Sequence, residues 1–319
     1  MAAPCFSVVM PLYNKAPHVA AALASVAAQR HPAQEVIVVD DGSTDGSREI
    51  VAGLKMPSVR LLDRAPPGPG GYAARNLGIE AASGDWIAFL DADDLWAPNH
   101  LAELAEAIAN HPEAGSAATR FAHVYEDGRR VLQRVAPVLA VGGALDFAEF
   151  LGAWLRAREC PMWTGAIAIR RDVLIEAGLF PVGRATRGGD KDLWLRAIRR
   201  APLAYSPAIT ADFHRDSVNK VSKATNTLGT PCIVETARAM LHDPRTSSEE
   251  RRLLRALINQ EIGYYARYAM KSPGRLGIRA RDVALPEGWR TLALLLAARW
   301  TPAALRRAAY RVVRPAVVR

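Results

Sequence analysis

Apolar and polar positions change period in blocks along the first hundred residues. Ser7-Val8-Val9-Met10 is a short β-branched run and predicts a strand. Glu35-Val36-Ile37-Val38-Val39 predicts a second, apolar almost throughout, as a strand covered on both faces should be. Residues 59–62 and 86–90 predict two more. Between them lie stretches of helical pattern at 17–29, 45–54, 72–82 and 98–110, with Pro17 near the first start and Asp45 or Ser47 as a cap for the second. Strands alternating with helices predict a mostly parallel central sheet flanked by helices, an α/β fold. Right-handed crossovers then bring the loops at the strand C-terminal ends to one edge. The middle is less regular: a hairpin around Glu126-Asp127-Gly128 within 121–135, a strand over 164–169 and a helix over 190–199. From about Cys232 the pattern is helical and rich in arginine. Two parts are therefore expected, 1–228 and 229–319.

Composition adds little to the first part and more to the second. The chain has 319 residues, 50% hydrophobic and 23% charged, which suits a folded chain with a sizeable core. Its net charge of +9 is uneven: residues 1–239 nearly balance, with 25 Lys/Arg against 26 Asp/Glu, whereas residues 240–319 carry 16 against 6. The basic end favours an anionic partner such as a lipid surface, or is a solvated helical face. Three scattered cysteines without a CxxC exclude a disulfide framework and a zinc site, and point to a reducing cytoplasm. No signal peptide and no transmembrane helix is expected; the longest apolar run, Leu292–Ala298, is far too short to span.

Three predicted strands end in loops with chemistry: Pro11-Leu12-Tyr13-Asn14, Asp40-Asp41-Gly42-Ser43-Thr44-Asp45, and Asp91-Ala92-Asp93-Asp94. In an open α/β sheet these converge on one crevice. Asp40 and Asp41 suit hydrogen bonds from a base N–H or a ribose hydroxyl. Three carboxylates within four residues repel one another unless a cation offsets them, and hard cations such as Mg²⁺ or Mn²⁺ take oxygen ligands. Each loop alone also reads as a plain turn; convergence favours a nucleotide and a metal. The Gly/Pro-rich stretch 65–71 leads into a helix with an early Arg75, suited to a phosphate or to pairing with a carboxylate.

Four blocks, Ser7–Asn14, Val38–Asp45, Ala74-Arg75-Asn76-Leu77-Gly78 and Ala88–Asp94, occur in an order and spacing that resembles glycosyltransferase family 2. The resemblance covers roughly residues 5–225. It implies a GT-A fold with a Rossmann-like sheet, an inverting transfer from a nucleotide-diphosphate sugar (UDP favoured, GDP and dTDP open), and a divalent metal, Mn²⁺ or Mg²⁺. It implies roles residue by residue. Asp40 and Asp41 would hold the base or ribose, with Pro11 and Tyr13 beside them. Arg75 would lie near the nucleotide. Asp91 and Ala92 would face ribose or sugar, and Asp93 would ligate the metal. Asp190, in Gly188-Gly189-Asp190-Lys191-Asp192-Leu193, matches the family's general base, but Gly189 stands where the family commonly has Glu. His214 resembles a later block near the diphosphate. Trp163 is expected to line the sugar or acceptor pocket, or to begin a core strand.

The acceptor is expected to be a glycan, a lipid-linked molecule or a protein, in cell-surface polysaccharide or glycolipid synthesis. Leu305, Ala308, Ala309, Val312 and Val313 fall on one helical face, with Arg306, Arg307, Arg311 and Arg314 opposite. That pattern suits peripheral contact with an anionic membrane, Trp289 and Trp300 being anchors, or a helix packed on the protein. No nucleic-acid motif is present. Two rivals remain: a sugar nucleotidyltransferase, disfavoured because its Gly-rich basic loop is missing after the first strand, and a nucleotide-sugar binder without activity, motivated by Gly189.

Overall fold

The structure is a computed structural model that describes residues 3–66, 71–185, 188–217, 229–269 and 277–300. The chain divides into two compact units, 1–224 and 225–319.

The first unit opens with the alternation that the sequence predicts. Strand β1 (Phe6–Leu12), helix α1 (Val19–Ala27), β2 (Glu35–Asp40), α2 (Ser47–Gly53), β3 (Val59–Asp63), α3 (Tyr72–Ala81) and β4 (Trp86–Phe89) follow in order. Every residue of β2 and β4 is buried, which explains why neither shows an alternating pattern. A two-residue strand β5 (Leu95–Trp96), helix α4 (His100–Asn110), β6 (Ser116–Val124) and β7 (Arg130–Leu132) come next. Then follow β8 (Gly143–Leu145), α5 (Phe147–Ala157), β9 (Ile167–Arg170), α6 (Arg171–Glu176), α7 (Gly189–Ile198) and β10 (Leu203–His214).

The strands form one sheet in the order β3-β2-β1-β4-β9-β6-β10-β5, with β7 on β6 and β8 on β10. β3, β2, β1 and β4 pair in parallel, and so do β6 and β10. β9 lies antiparallel between β4 and β6. All six of those parallel-paired strands therefore point the same way, and their C-terminal ends share one edge. The expectation of a mostly parallel sheet holds for direction; the reversed β9 and the short β5, β7 and β8 make it mixed. A hydrophobic core cluster joins Val8, Met10, Leu12, Val36 and Val38 to Leu23 and Val26 of α1 and Leu101 and Leu104 of α4. It fixes the strands whose ends carry the loops.

Boundaries move in one place for a visible reason. The strand predicted over 164–169 starts only at Ile167, because Thr164–Ala166 form a tight turn closed by Ala166 N–H donating to the Trp163 carbonyl (2.8 Å). The Trp163 indole lies over Gly165 so closely that a Cβ there would come within 2.3 Å of the ring.

In the second unit, α8 (Cys232–His242), α9 (Ser248–Ala269) and α10 (Trp289–Trp300) bear out the helical pattern, and α9 packs on both others. Asn259 of α9 bonds both the N–H and the carbonyl of Ala284 at 2.9 Å, which pins the approach to α10. No helix among the described residues is long and apolar enough to cross a membrane. The basic amphipathic segment 305–314 lies outside the described residues.

Candidate active site

The loops after β1 and β2 are knitted together by hydrogen bonds. Asn14 N–H donates to Ser43 Oγ (3.0 Å), Thr44 N–H to Asn14 Oδ1 (2.8 Å), Lys15 N–H to Ser47 Oγ (2.7 Å) and Ala16 N–H to Asp45 Oδ2 (2.9 Å). Asn14 accepts a left-handed conformation (φ 51°) to make the turn. The abundance of Ser, Thr, Asn and Asp there is thus structural in part: short polar side chains satisfy backbone N–H groups that the sheet has released.

Asp40 and Asp41, both buried, divide their duties. The Asp40 carboxylate accepts from Gly42 N–H (3.3 Å) and Ser43 N–H (3.2 Å) and so shapes its own loop. Asp41 takes the Arg64 guanidinium at 2.5 Å, from just beyond β3. Tyr13 is half exposed beside them.

The acidic turn after β4 is a true cluster: oxygens of Asp91, Asp93 and Asp94 lie within 4.8 Å of one another. Each has a partner from a different element. Asp91 binds the guanidinium of Arg75, which is buried on α3. Asp93 takes Lys15 Nζ at 2.8 Å, both side chains nearly buried, and also the Ser217 hydroxyl. Asp94 accepts the His214 backbone N–H at 2.8 Å and so anchors the end of β10, which sets the His214 ring 3.9 Å from the same carboxylate. Ala92 is buried between them. The repulsion that argued for a metal is therefore offset in part by two protein cations, Lys15 and Arg75.

Arg75 is the hub. Burial alone would lower its pKa, but the charge and hydrogen bond of Asp91, with smaller help from Tyr72 and then Asp190, raise it above the usual guanidinium value. Asp190 stands in the first turn of α7, at the helix's positive end. The Arg75 guanidinium also lies 5.6 Å from the Phe180 ring centre. A Cβ placed on Gly71 (φ 69°) would sit 3.2 Å from Arg75 Nη1 and 3.8 Å from Pro11 Cβ, so Pro11 and Arg75 border one space. Trp163 is set off from this group by one step: it stacks on Phe213 (4.6 Å between centres), the chain neighbour of His214, and leans on Phe121 (4.8 Å).

The predicted residues thus gather as three neighbouring sets: Asp40 and Asp41; Pro11, Arg75, Asp91, Asp93 and His214 with Asp190 in the field of Arg75; and Trp163 in its aromatic stack. Lys15, Arg64, Tyr72 and Ser217 were not foreseen. Lys15 and Ser217 sit 78 and 124 residues from Asp93, a distance at which no local pattern reports.

The model of glycosyl transferase family 2 matches residues 7–178, more than half of the chain. The chain belongs to glycosyl transferase family 2. The match takes in every loop from Pro11 to Trp163, while Asp190 and His214 lie beyond it. Among curated proteins, an uncharacterised glycosyltransferase of Nostoc is 32% identical over 182 residues, covering 55% of this chain and 53% of its own length. The succinoglycan biosynthesis protein ExoO of Rhizobium meliloti is 46% identical over 105 residues, 32% of this chain and 29% of its own. The matched stretches thus span about half or less of these relatives. Among solved structures, S. aureus TarS 1–349 superposes with a TM-score of 0.70 at 17% identity, covering 97% of this chain and 92% of that one. The mannosyltransferase PcManGT of Pyrobaculum calidifontis gives 0.58 at 20% identity, covering 98% and 81%. These likenesses show the GT-A fold.

Proposed function

We propose that this enzyme moves a sugar from a nucleotide-diphosphate sugar, a UDP-sugar in the first instance, to a hydroxyl acceptor with inversion, and that unit 1–224 carries the site. The observation that carries this reading is the Arg75 hub, which pairs with Asp91 of the acidic cluster and lies in the field of Asp190 at the start of α7. TarS has been crystallised with UDP-GlcNAc and with UDP, and PcManGT with GDP-Man and Mn²⁺, which supports a nucleotide-sugar donor here. The relative ExoO takes part in succinoglycan biosynthesis, which supports a surface polysaccharide or glycolipid product.

In this reading Asp41 holds the base or ribose, with Asp40 shaping the loop and Pro11 and Tyr13 lining it. Arg75 and His214 offset negative charge on the departing diphosphate. Asp190 accepts the proton of the acceptor hydroxyl as its oxygen bonds to the anomeric carbon and the bond from that carbon to the diphosphate oxygen breaks. One displacement inverts the centre and releases the nucleoside diphosphate. The clustered carboxylate oxygens fit a hard divalent cation, Mn²⁺ or Mg²⁺, with Asp93 as its ligand. Such an ion, when bound, supplies counter-charge to a diphosphate. Trp163 lines the sugar or acceptor side.

The acceptor class, glycan, lipid-linked or protein, follows from this reading only as a hydroxyl carrier. Cytoplasmic work at a membrane surface is part of the proposal: Trp289, Leu296 and Trp300 share an exposed face of α10, at 62%, 40% and 78% exposure, next to the basic end of the chain.

The test is Asp190→Asn. The donor is first chosen as the UDP-, GDP- or dTDP-sugar that wild-type enzyme hydrolyses fastest with Mn²⁺. The variant should lose at least 100-fold in turnover while its donor KM stays within about twofold. Wild-type turnover in the variant would overturn the base assignment. No donor hydrolysed by wild-type enzyme would favour a binding protein.

A further inference from the structure

The N-cap residue of helix α7 is Gly188, in a left-handed conformation (φ 76°), so that residue has no side chain with which to cap the helix. The partner comes from 117 residues away. Gly189 N–H donates to the Tyr72 hydroxyl at 2.8 Å, in a buried setting. The phenol occupies the room that a side chain at 189 would need. A Cβ there would come within 2.7 Å of Pro181 Cγ and 2.9 and 3.0 Å of Tyr72 Cε2 and Cζ. Tyr72 and Gly189 are therefore a matched pair, and the tyrosine together with Pro181 leaves room only for glycine.

The ring of Tyr72 is itself held. It stacks on Phe180, 5.7 Å between centres and 9° from parallel. Phe180 is gripped by Asn76 of α3, whose side chain bonds both its N–H and its carbonyl at 3.0 Å. Tyr72, Arg75 and Asn76 lie at i, i+3 and i+4, one face of one helical turn. That turn holds Asp91 through Arg75 and the start of α7 through Tyr72.

We propose that Tyr72 is a positioning residue for Asp190: its hydroxyl, by accepting the Gly189 N–H, fixes the first turn of α7 and hence the reach of the neighbouring carboxylate toward the acceptor oxygen. The proposal rests on Asp190 being the base. It gives Gly189 a structural reason and removes it as a mark of lost activity, because the capping group is supplied from α3.

Tyr72→Phe deletes the hydroxyl and keeps the Phe180 stack. With the donor chosen above, hydrolysis by Tyr72→Phe should show kcat at least about tenfold lower, since a misplacement near 1 Å costs up to about 100-fold, with donor KM within twofold. Tyr72→Phe in an Asp190→Asn background should cost less than threefold more, because both changes strike one function. A Tyr72→Phe enzyme with wild-type kcat, or a full tenfold additional loss on top of Asp190→Asn, overturns the positioning role. A rise in donor KM at constant kcat overturns it too, by placing Tyr72 in donor binding. If Asp190→Asn alone keeps wild-type turnover, the base reading falls first, and the proposal with it. An inactive Asp190→Asn beside a fully active Tyr72→Phe sinks the proposal alone.

Discussion

The proposed function makes Lys15 and a divalent cation competitors for one carboxylate, and that competition is measurable without any acceptor. Lys15 Nζ is 2.8 Å from Asp93, with side-chain exposures of 11% and 7%. Lys15→Met keeps the apolar stem and removes the charge. Asp93 is then left nearly buried beside Asp91 and Asp94. Removing one partner of such a pair costs about 3–5 kcal/mol. At about 2–4 °C per kcal/mol for a unit of this size, the melting point should fall by roughly 6–20 °C in metal-free buffer. Added Mn²⁺ should then restore more in the variant than in wild type, because it no longer meets an ammonium group against the same oxygen. A ligand at 100 times its Kd returns about 2.7 kcal/mol, enough to recover much of the loss. Thermal unfolding of both proteins against a Mn²⁺ series, with Ca²⁺ and high salt as controls, reads this directly. A Mn²⁺ shift equal in both proteins, or larger in wild type, would refute the reasoning and separate Asp93 from metal binding.

Two further outcomes are expected. His100 is fully buried, stacked on Trp96 and bonded through Nδ1 to Thr210 Oγ1 at 2.7 Å; burial pushes its pKa down to about 3. The unfolded chain therefore takes this proton first, so stability is complete above about pH 6.5 and falls as pH drops toward 3, by about 2 kcal/mol at pH 5. Urea unfolding at pH 7 and pH 5 should show that loss in wild type and less of it in His100→Phe; identical slopes would contradict the burial argument. Vesicles test the exposed face of α10: wild-type protein should sediment with anionic but not zwitterionic vesicles, and Trp289→Ser with Trp300→Ser should weaken this several-fold, whereas equal binding by both proteins would dismiss a membrane role for that face.

The first half of the fold was legible because its signals are local. β2 and β4 are uninterrupted apolar runs, and each intervening helix fits between two of them. β10 escaped because Pro207 sits inside it, where a proline argues against a strand. The structure accommodates it at a register shift between Ser206 and Ile209. α5 escaped although its start carries a readable signal: Asp146 and Glu149 form a reciprocal capping box at 2.9 Å each way. The site was legible in its carboxylates and not in their partners. Asp41, Asp91 and Asp93 follow strands in recognisable loops, whereas Arg64, Lys15 and Ser217 reach them from elements that only the tertiary fold brings near.

That division changes what an acidic turn can be taken to mean. Three aspartates in four residues suggested a metal because bare carboxylates repel, yet Lys15 and Arg75 show that side-chain cations already answer part of that charge. The turn alone therefore argues only for a concentration of negative charge that must be met by something. What singles it out is asymmetry. Asp94 accepts from the β10 backbone and Asp91 pairs with Arg75, while Asp93 pairs with a lysine on a flexible stem and a serine hydroxyl, whose place at the carboxylate a bound cation would take. In the proposed function, Asp93 is the one of the three that a cation takes over. The Lys15→Met experiment measures that property.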